Sequence, residues 1–418
     1  MKVSVLVETF PSATEVPILN QLCGLIDCGI DLHVYSYSAD FSRIHKKYSE
    51  YQFENRTTYL PKPFYLKYRF LNRLGLKIQG WIKYIIVYLT DKSLANNCID
   101  KQQFGDNAAS LRLLYTAPYF KNLNHDFDIV YCQFGPFGLL ASQLKCLGVL
   151  KGKIITAFMG YGINVIPNIK SLNYYDKLIE YGSAFTSNTM NTKEGAVKIG
   201  FEKDKIHIIH ATLDVNDFPF RTRNWEDDAT LKVLSVGSLL PVKGHEFAIK
   251  AIGKIKNEHP KIKVNYCIVG FGPKESSLKN LVENLSLQEE VEFLGFMDQE
   301  SLKDTYLSCH IYLHPSIEAE DGSKEAQGLV IQEALATGMP VLATNIGGIP
   351  ECFVDAKTGF LIEQKSEDAI INGLLKLIAN KGEWLKMGKY SRDFVNNEFD
   401  IKVQTKRLLH VFNNAMGE

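Results

Sequence analysis

The 418 residues include eight cysteines (Cys23, Cys28, Cys98, Cys132, Cys146, Cys267, Cys309 and Cys352) but no C-x-x-C pair and no His/Cys cluster at zinc spacing. That pattern excludes a zinc module and a disulfide scaffold, and free thiols in a reducing compartment are the simplest reading. No apolar run reaches the roughly 18 residues that a membrane span requires. The N-terminal MKVSVLVETFPS is a short strand followed by turn residues, without the apolar core and small-residue cleavage site of a secretory signal. The expectation is a cytoplasmic protein. Low-complexity segments and internal repeats are also lacking.

Net charge is missing as well, since 47 Lys and Arg balance 47 Asp and Glu. A nucleic-acid binder would need a basic face spread over its binding domain, so nucleic acid is excluded as a partner. The balance is uneven along the chain: residues 1–215 hold 24 basic against 18 acidic residues, and the remainder 23 against 29. This suits two domains with different partners, which the length and the 45% apolar content also favour.

What is present is a regular alternation. Short β-rich runs at 3–8, 32–37, 128–134, 153–158, 233–239, 265–270, 291–296, 311–316 and 340–345 are separated by helical spacing such as HEFAIKAIGKIK (245–256) and SSLKNLVENLSL (276–287). Strands alternating with helices predict parallel sheets covered by helices, an α/β fold. The charged, proline-containing stretch 216–230 breaks the pattern and is the expected boundary between domains 1–218 and 219–418. The last helical stretch, about 395–418, is free to pack back on the first domain.

Residues 314–351, HPSIEAEDGSKEAQGLVIQEALATGMPVLATNIGGIPE, read as a strand, an acidic loop, a helix beginning near Gly328, a second strand and a Gly-Gly turn. Such strand-to-helix switches bind phosphates, because the helix start offers free amides, here those of Gly328, Leu329 and Val330, and the positive end of the macrodipole. Glu325 stands before the helix and Glu333 within it. At about 1.5 Å per residue, Glu333 lies roughly 7–8 Å along the helix from Gly328. A carboxylate can accept hydrogen bonds from vicinal hydroxyls, so Glu333 could hold a ribose while Glu325 meets sugar hydroxyls beyond the phosphates. Taken alone, the pair equally suits two acids decorating a helix start, where negative charge is favoured anyway.

At this point the chain resembles the retaining GT-B glycosyltransferases of family 4, particularly members that build exopolysaccharide or lipopolysaccharide from lipid-linked intermediates. The resemblance rests on the E-x7-E motif, Glu325-AQGLVIQ-Glu333, followed by EALATGMPVLATNIGGIPE. Around it stand VGSLLPVKGHEFAIKAI (236–252), VGFGPKESSLKNLV (269–282) and LGFMDQESLKDTYLSCHIYLHPS (294–316), in the family's order. FPSATEVPILNQL (10–22), FGPFGLLA (134–141) and GYGINV (160–165) are similar to the polysaccharide branch with less specificity.

The resemblance implies two Rossmann-like doubly wound domains facing each other across a cleft, with the acceptor in the N-terminal domain and the nucleotide sugar in the C-terminal one. It implies transfer, with retention, of a hexosyl or N-acetylhexosaminyl group from a UDP- or GDP-sugar to a hydroxyl of a lipid-linked glycan. Lys243 matches the lysine that touches the diphosphate, so Lys243 and Glu325 become the catalytic candidates, with Lys243 and the helix amides stabilising the leaving group. Gly237, Ser238, Gly272, Gly328, Leu329, Val330 and Glu333 would line the donor site. Phe296 and Met297 would border the base, although the Phe296 side chain could equally be core. Met159 and Gly160 would approach the sugar from the N-terminal domain. Neither a metal nor another cofactor is expected. The D-x-D-like run Asp126-Phe127-Asp128 precedes a predicted strand and reads as a strand-start turn.

Two departures qualify the match. Ser238 stands where the family commonly has Arg, a loss on the order of 1.5–3 kcal/mol of charge-assisted bonding unless His245 or Lys274 substitutes. Met159 and Gly162 replace the usual His and Asp, and Met159 cannot act as acid or base. These departures would also suit a non-catalytic nucleotide-binding or scaffolding subunit of a polysaccharide assembly, against which both glutamates, Lys243 and the glycine turns stand. Finally, residues 55–90 carry Arg56, Lys62, Lys67, Arg69, Arg73, Lys77 and Lys83 with no acid, interleaved with aromatics. This segment suits an anionic membrane surface, or alternatively a solvated helix whose aromatics pack on the first sheet.

Overall fold

The computed structural model describes all residues except 13–15, 43, 64–68, 124–125, 227–228 and 418, and it leaves the side chains of 69–73, 161, 168 and 172 undescribed. The chain divides into two compact units. The first comprises Met1–Ser187, Lys193–Ile209 and Thr405–Glu418, and the second Asn188–Thr192 and His210–Gln404. The division thus falls nine residues before the boundary expected at 218.

In the first unit, seven parallel strands are β1 (Lys2–Thr9), β2 (Asp31–Ser38), β3 (Thr57–Tyr59), β4 (Ile129–Gln133), β5 (Lys153–Phe158), β6 (Gly182–Ser187) and β7 (Ile206–Ile208). They lie in the order β3-β2-β1-β4-β5-β6-β7. Strand alternation divides the core between the two faces of this sheet: Val3, Val5 and Val7 enter one cluster and Leu6 the other. The helix Ile401–Met416 brings Leu408, Val411 and Phe412 into the first of these clusters, with the Phe412 ring 5.3 Å from that of Tyr131. Asp128 accepts from the Lys2 amide at 2.7 Å just before β4, and Asp126 pairs with Lys151.

The second unit holds β8 (Leu231–Val236), β9 (Val264–Val269), β10 (Val291–Gly295), β11 (Ile311–His314), β12 (Val341–Thr344) and β13 (Gly359–Ile362), in the order β10-β9-β8-β11-β12-β13. All pairings are parallel. Leu231 and Val233 face one core, Leu234 and Val236 the other. Because β9 lies to one side of β8 and β11 to the other, the chain reverses direction across the sheet at β8/β11. A crevice forms at the carboxyl ends of strands at such a switch point. β3, β6, β7 and β13 are additional to the runs expected from sequence.

Candidate functional site

Two loops leave the switch point of the second sheet. After β8, the chain makes a short 3-10 turn at Pro241–Lys243, closed by Gly244 at φ 62°. A Cβ on Gly244 would lie 2.0 Å from the Pro315 carbonyl oxygen, so this turn packs directly on the segment following β11. The Ile317 amide donates to the Val242 carbonyl at 2.8 Å and ties the two loops together. Glycines lock the other side as well: a Cβ on Gly270 would sit 1.9 Å from the Gly237 oxygen, and one on Gly272 would sit 2.7 Å from Leu239 backbone atoms. A third lock holds the acid, since Gly348 N–H donates to the Glu325 carbonyl at 3.0 Å and a Cβ on Gly347 would lie 2.2 Å from that oxygen.

These locks bring Lys243 against Glu325, their side chains hydrogen-bonded as an ion pair with each only 16% exposed. His314, at the end of β11, completes the cluster with Nε2 3.4 Å from the same carboxylate oxygen and 3.0 Å from Ser316 Oγ. Its Nδ1 lies 3.3 Å from the Tyr312 hydroxyl. An Nε2–H tautomer lets His314 donate to Glu325, while the single Tyr312 hydroxyl proton is shared between His314 Nδ1 and the Val236 carbonyl, each at 3.3 Å. Burial opposes ionisation of Glu325 but is outweighed by Lys243 and the His314 hydrogen bond, and the carboxyl is held down at about 2. The His314 imidazole is itself shifted down, by burial first and then by Lys243, against the pull of Glu325.

Glu333 sits in a different setting. It lies on the helix Leu329–Ala336, whose N-cap is Gly328, and accepts from the Tyr306 hydroxyl at 2.8 Å. Burial raises this carboxyl to about 7, with the Tyr306 hydrogen bond only partly offsetting it. The Tyr312 phenol is raised well above the usual range, by burial first and then by the charges of Glu333 and Glu325.

Of the three amides expected at the helix start, Leu329 N–H donates to Gln327 O at 3.2 Å and is not free. Gly328 N–H lies near the Cys352 thiol, whose pKa burial raises and this amide pulls back down. Val330 N–H alone of the three has no acceptor among the described residues. His245 cannot substitute for the missing arginine. It is buried beside Tyr266, and burial lowers its pKa to about 3, so it is uncharged. Lys274 is exposed and Ser238 is exposed. Gly237 stands beside Lys243, its Cβ position 3.3 Å from Lys243 Cε.

Phe296 is not core. It is 51% exposed beyond β10, and its ring lies 6.2 Å from that of Phe271, 55% exposed, in an edge arrangement. Met297 is half-buried and its sulfur accepts from Thr305 Oγ1 at 3.2 Å. Met159 and Gly160 belong to the first unit: Met159 packs against its core after β5, and Gly160 has φ 72°. Tyr306, His314 and Phe271 were not singled out by sequence, although each lies inside a motif quoted above. Among the described residues, no group of three or more His, Cys, Asp or Glu side chains could hold a metal ion.

Two doubly wound parallel sheets, with a paired Lys and Glu at the switch point of the second, have the architecture of the GT-B fold. Residues 219–394 match the family model described as "Glycosyl transferases group 1". Over nearly its full length the chain is similar to the "Putative colanic acid biosynthesis glycosyltransferase WcaL" of Escherichia coli, with 26% identity and 98% of each chain covered. It is also 26% identical to the amylovoran biosynthesis glycosyltransferase AmsK of Erwinia amylovora, covering 98% of this chain and 99% of that one. Among solved structures, Anabaena Alr3699/HepE in complex with UDP superposes with a TM-score of 0.69 at 15% identity, covering 99% and 100% of the two chains. At that identity the likeness speaks for the fold.

Proposed function

We propose that the chain is a retaining glycosyltransferase of the E-x7-E class. It would move a hexosyl or N-acetylhexosaminyl group from a UDP- or GDP-sugar to a hydroxyl of a lipid-linked glycan in surface polysaccharide biosynthesis, at the inner face of a membrane. The observation that carries this reading is the Lys243–Glu325 pair at the β8/β11 switch point, with Glu333 on the adjoining helix. Support for the donor class comes from Anabaena Alr3699/HepE, solved with UDP and with UDP-glucose. Support for the pathway comes from the colanic acid and amylovoran relatives.

In this reading the diphosphate lies at the start of the helix Leu329–Ala336, against the Val330 amide and Lys243. Lys243 then neutralises charge as the nucleoside diphosphate leaves. Glu325, kept ionised at any physiological pH, accepts hydrogen bonds from hydroxyls of the donor sugar. Glu333 grips the ribose hydroxyls, and the exposed Phe271 and Phe296 rings border the base. Attack from the face that the diphosphate leaves, with a phosphate oxygen taking the acceptor's proton, needs no protein nucleophile and no metal. The half-buried Met159 is consistent with that economy, since it would contribute contact and no proton.

Titration calorimetry with UDP and GDP tests the donor assignment. One nucleotide should bind the wild type, and Glu333→Gln should weaken it. Equal affinity in both proteins would remove Glu333 from the site, and no binding of either nucleotide would remove the donor class.

A further inference from the structure

The helix Arg69–Thr90 in the first unit carries apolar residues on the side turned away from the unit as well as on the side packed against it. Its inner side is built by Gly80, half-buried Tyr84 and fully buried Val87. Gly80 allows a close seat, since a Cβ there would come within 2.8 Å of Leu111 Cδ1. Its outer side carries Ile78, Trp81, Ile82, Ile85, Ile86 and Leu89, each between 49% and 79% exposed. At about 100° of rotation per residue these six occupy an arc of roughly 140°, directly opposite Gly80 and Val87. Exposed Lys77 borders one edge of the arc, and Lys83, over the Tyr115 ring, borders the other. Next to Lys77 and Trp81 a groove of about 440 Å³ opens toward Lys101.

A monomer rarely leaves a contiguous apolar face of this kind in water. We propose that it lies in the interfacial layer of an anionic lipid bilayer, with the six apolar side chains inserted and Lys77, Lys83 and Lys101 reaching lipid phosphates. The helix, about 33 Å long, would lie in the membrane plane, and no helix among the described residues is long and apolar enough to cross one. Charge decides between a bilayer and a second copy of the chain. Residues 55–90 hold seven Lys and Arg and no acid, so a symmetric helix pair would set like charges against each other. An anionic headgroup layer meets the same charges favourably, and lysine stems can extend from apolar surface to phosphates while Trp81 sits at the interface.

The proposal is independent of the chemistry in the second unit and is tested by binding of the full chain to vesicles. The wild type should partition onto mixed phosphatidylglycerol–phosphatidylethanolamine vesicles and much less onto phosphatidylcholine alone. Tryptophan emission should shift to the blue on binding, and the shift reports Trp81, because Trp225 and Trp384 are already buried in the second unit. The double variant Trp81→Glu, Ile85→Glu should lose at least tenfold in partitioning with an unchanged thermal midpoint. Lys77→Glu should lose about fivefold or more on anionic vesicles. Unchanged partitioning of the double variant overturns the proposal, as does an unshifted emission. A wild-type dimer by light scattering that the double variant converts to monomer, without loss of vesicle binding, also overturns it in favour of the second copy.

Discussion

Glu325 and Glu333 are the same residue type eight positions apart, yet their surroundings push them in opposite directions. Around Glu325, burial is overcome by a lysine and a histidine, and the carboxyl is held at about 2. Around Glu333, burial meets only a phenol, and the carboxyl rises to about 7. A charge partner makes a permanent anion, whereas desolvation alone makes a group poised to change state near neutrality. One acid is therefore fixed in its charge, and the other waits for a ligand to supply the hydrogen bonds that burial removed.

The largest test of this contrast is Glu325→Gln. The Gln side chain leaves Lys243 without its counter-charge, and turnover should fall at least about 100-fold, near 2.7 kcal/mol of barrier. Turnover within a few-fold of wild type would detach Glu325 from the chemistry. Glu333→Gln should cost less, about tenfold in nucleotide affinity or 1.4 kcal/mol.

The same variant should gain stability at alkaline pH. Because the Glu333 carboxyl is raised in the folded state, that state binds more protons than the unfolded chain between about 4.5 and about 7. Its contribution is therefore favourable below that window and is lost as pH rises through it. Melting curves should show Glu333→Gln above wild type at pH 8, with the difference closing toward pH 5; a constant offset would argue against a titrating Glu333.

Nucleotide binding should carry the complementary signature. UDP or GDP affinity should rise from pH 6 to pH 8 with proton release at pH 6.5, seen by calorimetry in buffers of different ionisation enthalpy. Glu333→Gln should abolish that release. The smallest effect belongs to Tyr306→Phe: without the 2.8 Å hydrogen bond to the carboxylate, the midpoint of the affinity profile should move to higher pH. A shift to lower pH would contradict the role given to the phenol.

Much of this site is legible in the sequence because it depends on spacing. The strand, loop and helix of 314–336 place Glu325 before a helix and Glu333 inside it, and the turn at 241–243 follows a run of β character. What escapes is whatever resembles core. Tyr306 and His314 are buried, so nothing in their local pattern distinguishes a side chain that orients a carboxylate from one that fills space. His245 fails the other way, since a histidine at a helix start reads as an available cation until the Tyr266 side of the sheet encloses it. Three of the four unforeseen strands are short: β3 and β7 have three residues and β13 four, too few for alternation to show. In the helix Arg69–Thr90, apolar residues occur on both faces, so the sequence does not say which one the unit covers.

The glycine locks have a consequence for how such an enzyme can change. The backbone oxygens of Glu325 and Ala326 are met by Gly347 and Gly348, while Gly237 and Gly270 touch main chain to main chain. The acid's backbone position is set mainly by main-chain contacts, with only the Lys324 Cβ and the Thr189 methyl close beside them. Lys324, Ala326 and the exposed loop at 319–323 can therefore be exchanged to suit a different sugar without relocating the carboxylate. A substitution as slight as Gly348→Ala, by contrast, drives a methyl group to within 2.0 Å of a carbonyl oxygen and displaces the reactive end of the site as a whole. In such a scaffold specificity drifts at the side chains and the machinery is inherited through the main chain.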